Sequence, residues 1–346
     1  MIVVHCRNGL SNETLLNEIL RVCFSNEELQ SIAFTDDCSR ANLVVSYPYG
    51  NDFSRPRHAI TVAYICENLR IDRPLADFHF YVSEKYHNLP KSCRIQWHDL
   101  SPNEFAPPAD LKTAPEKYLN RKFCNFVYRN CVGYRETLFD LLSRYKHVDA
   151  PSRSRNNMEA FDDVTAMPAS TKWEAKRRYL SSYKFTIAAE NDVFPGYDTE
   201  KLTDALRAQS VPIYIGNPYV SAVFNTESFI AGQVPTELPY WIKRIEDHSQ
   251  IRLLHFSIPS AERKFLYRLR AKTQVLLRDL KNRWYLKKFA ASLVDTVIEV
   301  DRNPDLYLKM LGAPKVRKEA AQAALSMQRD LWIEIFRTAE SLRSVK

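Results

Sequence analysis

The stretch YKFTIAAENDVFPGYDTEKLTDALRAQSVPIYIGNP, residues 183–218, decides how this chain folds. It reads as strand, loop, helix, strand. Tyr183–Ala189 is a mostly apolar run that ends at Glu190 and Asn191, and Pro195 and Gly196 turn the chain. Asp198 or Thr199 can cap a helix that opens with Glu200 and Lys201 and buries Leu202, Ala205 and Leu206. Val211–Ile215 is the return strand. Such a βαβ unit sets a helix N-terminus at the carboxyl end of a parallel sheet, where free amides and the helix dipole favour phosphate. Lys201 runs against the dipole, which prefers acids in the first turn. It is therefore a candidate clamp for an anionic ligand, with an exposed Glu–Lys helix pair as the plainer reading.

The same alternation continues on both sides. Upstream, Ile2–Cys6, Leu43–Tyr47, Ala59–Cys66 and Asp77–Ser83 read as strands, and Ser11–Cys23 as a helix. The unbroken apolar runs LVVSY and AITVAYIC suit strands covered on both faces. Residues 101–117, rich in proline and without periodicity, read as a linker. Beyond it come a strand at Phe123–Tyr128, helices at Tyr134–Tyr145 and Lys172–Ser182, and then the quoted unit. From about residue 236 the pattern is almost wholly helical. The expectation is an α/β chain of two Rossmann-like domains facing a cleft, residues 1–110 and 118–346, with a helical C-terminal region.

Composition narrows the function. The 346 residues suit two domains of ~100–200 residues each, and 45% apolar with 26% charged residues is ordinary globular usage. The start, MIVVHCRNGLSNE, lacks a basic segment followed by an apolar one, so no secretory signal or membrane anchor is expected. A net charge of +8 fits nucleic acid, anionic lipid or phosphorylated small molecules alike. Only seven glycines occur, which argues against a Gly-rich phosphate cradle. The seven cysteines show no CxxC or zinc spacing and read as reduced thiols of a cytosolic protein. In the second domain no DxD-type carboxylate pair stands at a strand end, Asp162–Asp163 lying in a polar loop, so no obligatory metal is expected.

The 183–218 stretch resembles the donor-binding motif of the α1,3/4-fucosyltransferases, glycosyltransferase family ten, in their bacterial form. The matching elements are Tyr183–Lys184–Phe185, Glu190–Asn191, Tyr197–Asp198–Thr199–Glu200–Lys201 and Val211–Pro212–Ile213–Tyr214–Ile215–Gly216. RKFCNFVYRNCVGYRETLFDLLSRYKHVD (121–149), SYPYGND (46–52) and AYICENLRIDRPLAD (63–77) are similar to further blocks of that family. The resemblance covers roughly residues 40–231.

It implies a two-Rossmann (GT-B type) glycosyltransferase that moves fucose from GDP-fucose to a glycan hydroxyl with inversion, with the acceptor held by the first domain and the donor by the second. N-acetylglucosamine of a surface oligosaccharide, α1,3-linked, is the expected acceptor. By the same resemblance Glu67 falls on the general base, and Arg135 on an arginine that contacts the donor pyrophosphate. Lys201 would neutralise departing GDP. Glu200 would accept hydrogen bonds from sugar hydroxyls, Tyr197 would stack on guanine or bond a phosphate, and Asn191 would hydrogen-bond the nucleotide. Arg135 and Lys201 are expected to face solvent in the cleft. No cofactor beyond the donor is implied, with a divalent ion at most a stimulant. Departures from the pattern are Asp198, Cys66, Arg129, Arg70 and Arg73. Another nucleotide-sugar transferase on the same scaffold is the alternative, and a basic nucleic-acid-binding protein a more distant one.

Ser228–Phe229–Ile230 is similar to a family segment whose continuation is found only at Ala290–Leu311, so 232–289 reads as an insertion. Its part 263–288 carries ten Lys or Arg against one acid, Asp279, interleaved with Phe265, Leu269, Leu276, Leu280 and Trp284. That composition suits an interfacial helix on an anionic membrane. A cytoplasmic protein, at most peripheral at the inner face of the membrane, is expected, and removal of 263–288 is expected to spare activity on a soluble acceptor.

Overall fold

The computed structural model describes the chain apart from residues 72–73, 84–88, 90, 96–99, 101–103, 160–168, 234, 236, 238, 250, 253–260 and 343–346. Arg73 and Asp162–Asp163 lie outside the described residues. In chain order the strands of the first half are β1 (Ile2–Arg7), β2 (Ile32–Phe34), β3 (Leu43–Ser46), β4 (Ile60–Ile65), β5 (Leu69–Arg70), β6 (Phe78–Tyr81) and β7 (Ser92–Arg94). All but β5 form one sheet in the order β2-β1-β3-β4-β6-β7, with every pair parallel. The apolar runs of β3 and β4 are buried almost throughout, as strands covered on both faces should be.

The second sheet holds β8 (Lys122–Asn125), β9 (Val148–Asp149), β10 (Tyr183–Ala189), β11 (Val211–Ile215) and β12 (Ile230–Ala231), again parallel, in the order β12-β11-β10-β8-β9. Strand order reverses between β8 and β10. Beyond the carboxyl ends of strands flanking such a switch, doubly wound sheets hold their ligands. The expected strand at Tyr183–Ala189 and return strand at Val211–Ile215 are found with those bounds.

The helices are α1 (Asn12–Thr14), α2 (Glu116–Leu119), α3 (Gly133–Ser143), α4 (Ala169–Leu180), α5 (Glu200–Arg207), α6 (Tyr240–Ser249), α7 (Ala261–Arg302), α8 (Pro304–Gly312) and α9 (Lys318–Ser341). A short strand β13 (Ile251–Arg252) stands between α6 and α7. The helix expected over 11–23 is broken instead: Ser11 caps α1, and a π-turn at Leu15–Ile19 and a 3-10 turn at Leu20–Val22 follow. This irregular winding lets Leu15, Ile19 and the adjacent Leu20 all enter the core.

Two features depart from a simple division of the chain at its linker. Helix α9 returns to the first sheet, where Trp332 stacks on Phe80 with ring centroids 4.6 Å apart and Leu331, Ile335 and Ala339 complete the core. Among the described residues the first half supplies short helical turns of its own, and α9 packs on the same core. Helix α7 is likewise a core element, burying Tyr285, Leu286, Phe289, Leu293, Val297 and Val300 in the second core. Residues 263–288 are therefore not a detachable appendage. Among the described residues no helix is long and apolar enough to cross a membrane. None of the seven cysteines is in a disulfide; Cys66, Cys93 and Cys124 are buried, whereas Cys131 is exposed.

Candidate active site

A cavity of about 350 Å³ opens where the loops after β3 and β4 of the first sheet meet those after β8 and β10 of the second. Its lining includes Glu67 and Tyr49 from one side and Arg135, Asn191, Tyr197, Glu200 and Lys201 from the other. All six site residues singled out in the sequence thus share one cavity, although Glu67 lies 130 positions from Tyr197.

Glu67 follows the buried strand β4 and is half-buried. Two phenols hold its carboxylate: Tyr49 Oη donates to Oε1 at 3.0 Å and Tyr197 Oη to Oε2 at 3.1 Å. The Tyr49 ring is 54% exposed, but loss of water around its hydroxyl, and after it the nearby Cys66 and Glu67, push the phenol above its ordinary range. Burial and Glu67 do the same for Tyr197, so both remain donors at neutral pH. The Tyr197 ring packs in the first core, which rules out a guanine platform; only its hydroxyl edge serves the cavity. Asn191 Nδ2 reaches that hydroxyl at 3.4 Å.

Arg135 and Lys201 are not the solvent-facing side chains the sequence suggested. Arg135 is 1% exposed. Its guanidinium lies 4.1 Å from the centre of the Tyr128 ring, and its nitrogens donate to the carbonyls of Asn130 (3.2 Å) and Ala189 (3.5 Å). Its Nε has no partner, and it forms no ion pair among the described residues. A buried guanidinium without a carboxylate is costly unless an anion completes it. Tyr128, which the sequence reading did not single out, accepts from Ala189 N at 2.8 Å and donates to Ile187 O at 2.9 Å. It thereby ties the end of β10 to the ring under Arg135.

Lys201 sits instead in a carboxylate cage, 3.2 Å from both Glu190 Oε2 and Glu200 Oε1, and donates to Thr199 Oγ1 at 2.8 Å. Burial opposes its charge, but the two carboxylates outweigh that and hold its ammonium above the usual lysine range. Glu190 is fully buried, and burial, aided by Glu200, raises its carboxyl despite Lys201. Glu200 moves the other way. Lys201 and Lys176 overcome its burial and hold it ionised well into acid.

Thr199, not Asp198, is the N-cap of α5, and its side chain makes no capping bond. Its hydroxyl is spent on Glu190, at 2.7 Å from Oε2. Asp198 is absent from the cavity lining, pairing with Arg94 of β7 and accepting from Asn217 Nδ2 at 2.9 Å. Lys176 of α4 also lines the cavity, 2.8 Å from Asp204 Oδ2. Its helical spacing in KWEAKRRYL gave no sign of this. Arg129 adds an exposed cation at the same lining. No group of three or more His, Cys, Asp or Glu arranged for a metal occurs among the described residues.

Residues 119–271 match the family model described as glycosyltransferase family 10 (fucosyltransferase), C-terminal. An α-(1,3)-fucosyltransferase of Helicobacter pylori is 33% identical over 113 residues, 32% of this chain and 21% of that protein. A GDP-fucose protein O-fucosyltransferase 3 of Mus musculus is 34% identical over 116 residues, 32% of this chain and 24% of that protein. The chain thus spans about a fifth to a quarter of the length of these curated relatives. A crystal structure of an α1,3-fucosyltransferase with GDP-fucose superposes with a TM-score of 0.58 at 18% identity, covering 98% of this chain and 90% of the other. The likeness is one of fold: two parallel α/β sheets facing a cleft, the GT-B arrangement, followed by C-terminal helices.

Proposed function

We propose that the chain is an inverting fucosyltransferase that moves fucose from GDP-fucose to a hydroxyl of a glycan, N-acetylglucosamine of a surface oligosaccharide in α1,3 linkage. The observation that carries this reading is the unpaired, buried guanidinium of Arg135 in the same cavity as the Glu67 carboxylate. One supplies a receptor for a diphosphate, the other a base for a hydroxyl. The fucosyltransferase relatives above, and the GDP-fucose bound by the α1,3-fucosyltransferase of the same fold, support the donor.

In the proposed step Glu67 takes the proton of the acceptor hydroxyl as its oxygen attacks the anomeric carbon. The bond from that carbon to the β-phosphate oxygen breaks, and its electron pair leaves with GDP. Arg135 and Lys201, with Lys176 behind, stabilise the charge that builds on the leaving group, so the reaction needs no resident metal. Asn191 and Glu200 bond nucleotide and sugar hydroxyls. The two phenols on Glu67 fix its orientation and leave the remaining lone pairs for the acceptor.

Calorimetry with GDP, UDP, CMP and ADP tests the donor. GDP should bind, and GDP-fucose should be consumed with an N-acetylglucosamine-containing acceptor. Binding of UDP without GDP would instead favour another nucleotide-sugar transferase on this scaffold.

We also propose a cytoplasmic protein docked peripherally on anionic membrane. Phe265, Leu269, Leu276 and Leu280 are at least half exposed along α7, with the exposed Arg268, Arg270 and Lys272 among them. Apolar side chains flanked by cations are what an anionic lipid surface binds.

A further inference from the structure

The segment 232–289 grips the cleft from two sides. Strand β13 pairs in parallel with β5, Ile251 opposite Leu69 and Arg252 opposite Arg70. β5 begins just beyond Glu67, and Leu69 N donates to Glu67 O at 2.8 Å. From the other side comes Lys281 of α7, a side chain with no exposure at all. Its ammonium lies 2.8 Å from Asp192 Oδ1 and donates to Val193 O at 2.8 Å. Asp192 Oδ2 in turn accepts from Asn68 Nδ2 at 2.8 Å. The neighbouring Asn282 accepts from Val193 N at 3.2 Å.

Asn68 is the residue after Glu67, and Asp192 the residue after Asn191. The Asn68–Asp192 hydrogen bond therefore fastens the loop of the carboxylate to the loop of the diphosphate site, and a buried ion pair from α7 holds Asp192 in place for it. A buried Lys–Asp pair is weak evidence for stability, since apolar groups of similar volume often do as well. What such a pair supplies is a fixed register, because both partners lose far more when displaced than a pair of methyl groups would.

We infer that Lys281, acting through Asp192 and Asn68, is a positioning residue for Glu67, so that the long helix sets where the base stands against the donor. This rests on Glu67 being the base, as proposed above. It also reverses the expectation that 263–288 is dispensable for transfer.

Lys281→Met alone strands a buried carboxylate and can unfold the chain. The test therefore uses the double variant Lys281→Met/Asp192→Asn, which removes both charges and leaves an oxygen for Asn68. Its thermal midpoint and its GDP affinity should stay close to wild type, while kcat for transfer falls about tenfold or more, the scale of a misplaced catalytic group. Asn68→Ala should cost a similar factor, and combining all three changes should cost no more than either alone. Wild-type kcat in the double variant, or losses that multiply, overturns the inference. A readout free of turnover is hydrogen exchange in 66–70. It should accelerate about tenfold in the double variant with the rest of the first sheet unchanged, local opening being separable from global unfolding. Unchanged or uniformly faster exchange means a merely structural pair. A wild type that binds GDP but transfers fucose to no hydroxyl refutes the assignment of Glu67, whereas the exchange experiment still decides the coupling.

Discussion

Tyr197 Oη donates to Glu67 Oε2 across 3.1 Å, from a ring buried in the core of the sheet that carries Glu67. Tyr197 itself belongs to the loop that leads into α5 of the other sheet. The cleft is therefore bridged at its chemical centre by one phenol. Arg94, pairing with Asp198 and donating to Gly196 O at 2.9 Å, makes a second bridge from the first sheet to the same loop.

Tyr197→Phe keeps the packing and removes the bridge. A hydrogen bond to a charged group contributes ~1.5–3 kcal/mol, so transfer should fall about ten- to hundredfold while GDP affinity changes little. Glu67→Gln is the companion: transfer should be lost with GDP affinity retained, since the base acts on the acceptor side. Isothermal titration with GDP beside an initial-rate assay checks both. Collapse of GDP binding in Glu67→Gln would make that residue a donor ligand.

The burial of Arg135 changes what its replacement should do. Arg135→Met removes an uncompensated interior cation and keeps most of the volume, so the protein without ligand should be as stable as wild type or more so. The rise in thermal midpoint that GDP produces should shrink sharply, and turnover should drop by ~2–4 kcal/mol of barrier. Arg135→Lys should not rescue fully, because an ammonium cannot use the Tyr128 face and two carbonyls together. A full GDP-induced shift in Arg135→Met means that the anion binds elsewhere.

How far the sequence carried this reading depended on the kind of signal. Tyr183–Ala189 and Val211–Ile215 were legible because buried parallel strands are continuous apolar runs, and helix α5 because its apolar positions fall on one face. Lys201 was legible as a cation set against the dipole in a helix's first turn, but the other five cavity residues only through a resemblance, since nothing in the local pattern at Arg135 separates a helix-start arginine from a buried one. Lys176, Tyr128 and Lys281 were not legible. Each acts through a contact made across the fold, with Asp204, Ala189 and Asp192 respectively. Lys281 in particular sits in a cationic run whose composition suggested an interfacial helix. The return of α9 to the first sheet was hidden for the same reason, as an amphipathic helix does not say which core it covers.

His79 gives the fold a pH dependence apart from the site. Burial first, then Arg55, lowers its imidazole from the usual 6.5 to about 4, against a smaller opposing pull from Asp77. Its Nε2 accepts from Leu75 N at 3.0 Å and Ala76 N at 3.3 Å, which the protonated ring cannot do. The unfolded chain thus binds a proton at higher pH than the folded one. The stabilising effect is complete above about pH 6.5 and is lost as pH falls toward 4, by at most on the order of 3 kcal/mol. Urea midpoints between pH 6.5 and 5 should decline, and His79→Gln, which keeps an acceptor but cannot titrate, should flatten that decline. Equal slopes for the two proteins would assign the decline to other groups.

The exposed face of α7 can be separated from its buried one, and the membrane proposal turns on that separation. Deleting 263–288 would remove Lys281, Asn282, Tyr285 and Leu286 from the interior and say nothing about lipid. Phe265, Leu269, Leu276 and Leu280, by contrast, are 68%, 54%, 68% and 51% exposed, so replacing all four with serine leaves the core intact. Wild type should sediment with anionic liposomes, weakly with neutral ones, and less as salt rises, because screening shortens the reach of the surrounding cations. The fourfold serine variant should lose most of that binding, since interfacial affinity scales with buried apolar area as well as charge. Its thermal midpoint and its turnover on a soluble acceptor should match wild type. Retention of anionic-liposome binding by the serine variant would trace the attraction to charge elsewhere on the +8 chain. Equal binding to neutral and anionic vesicles would remove the electrostatic argument and the proposal with it.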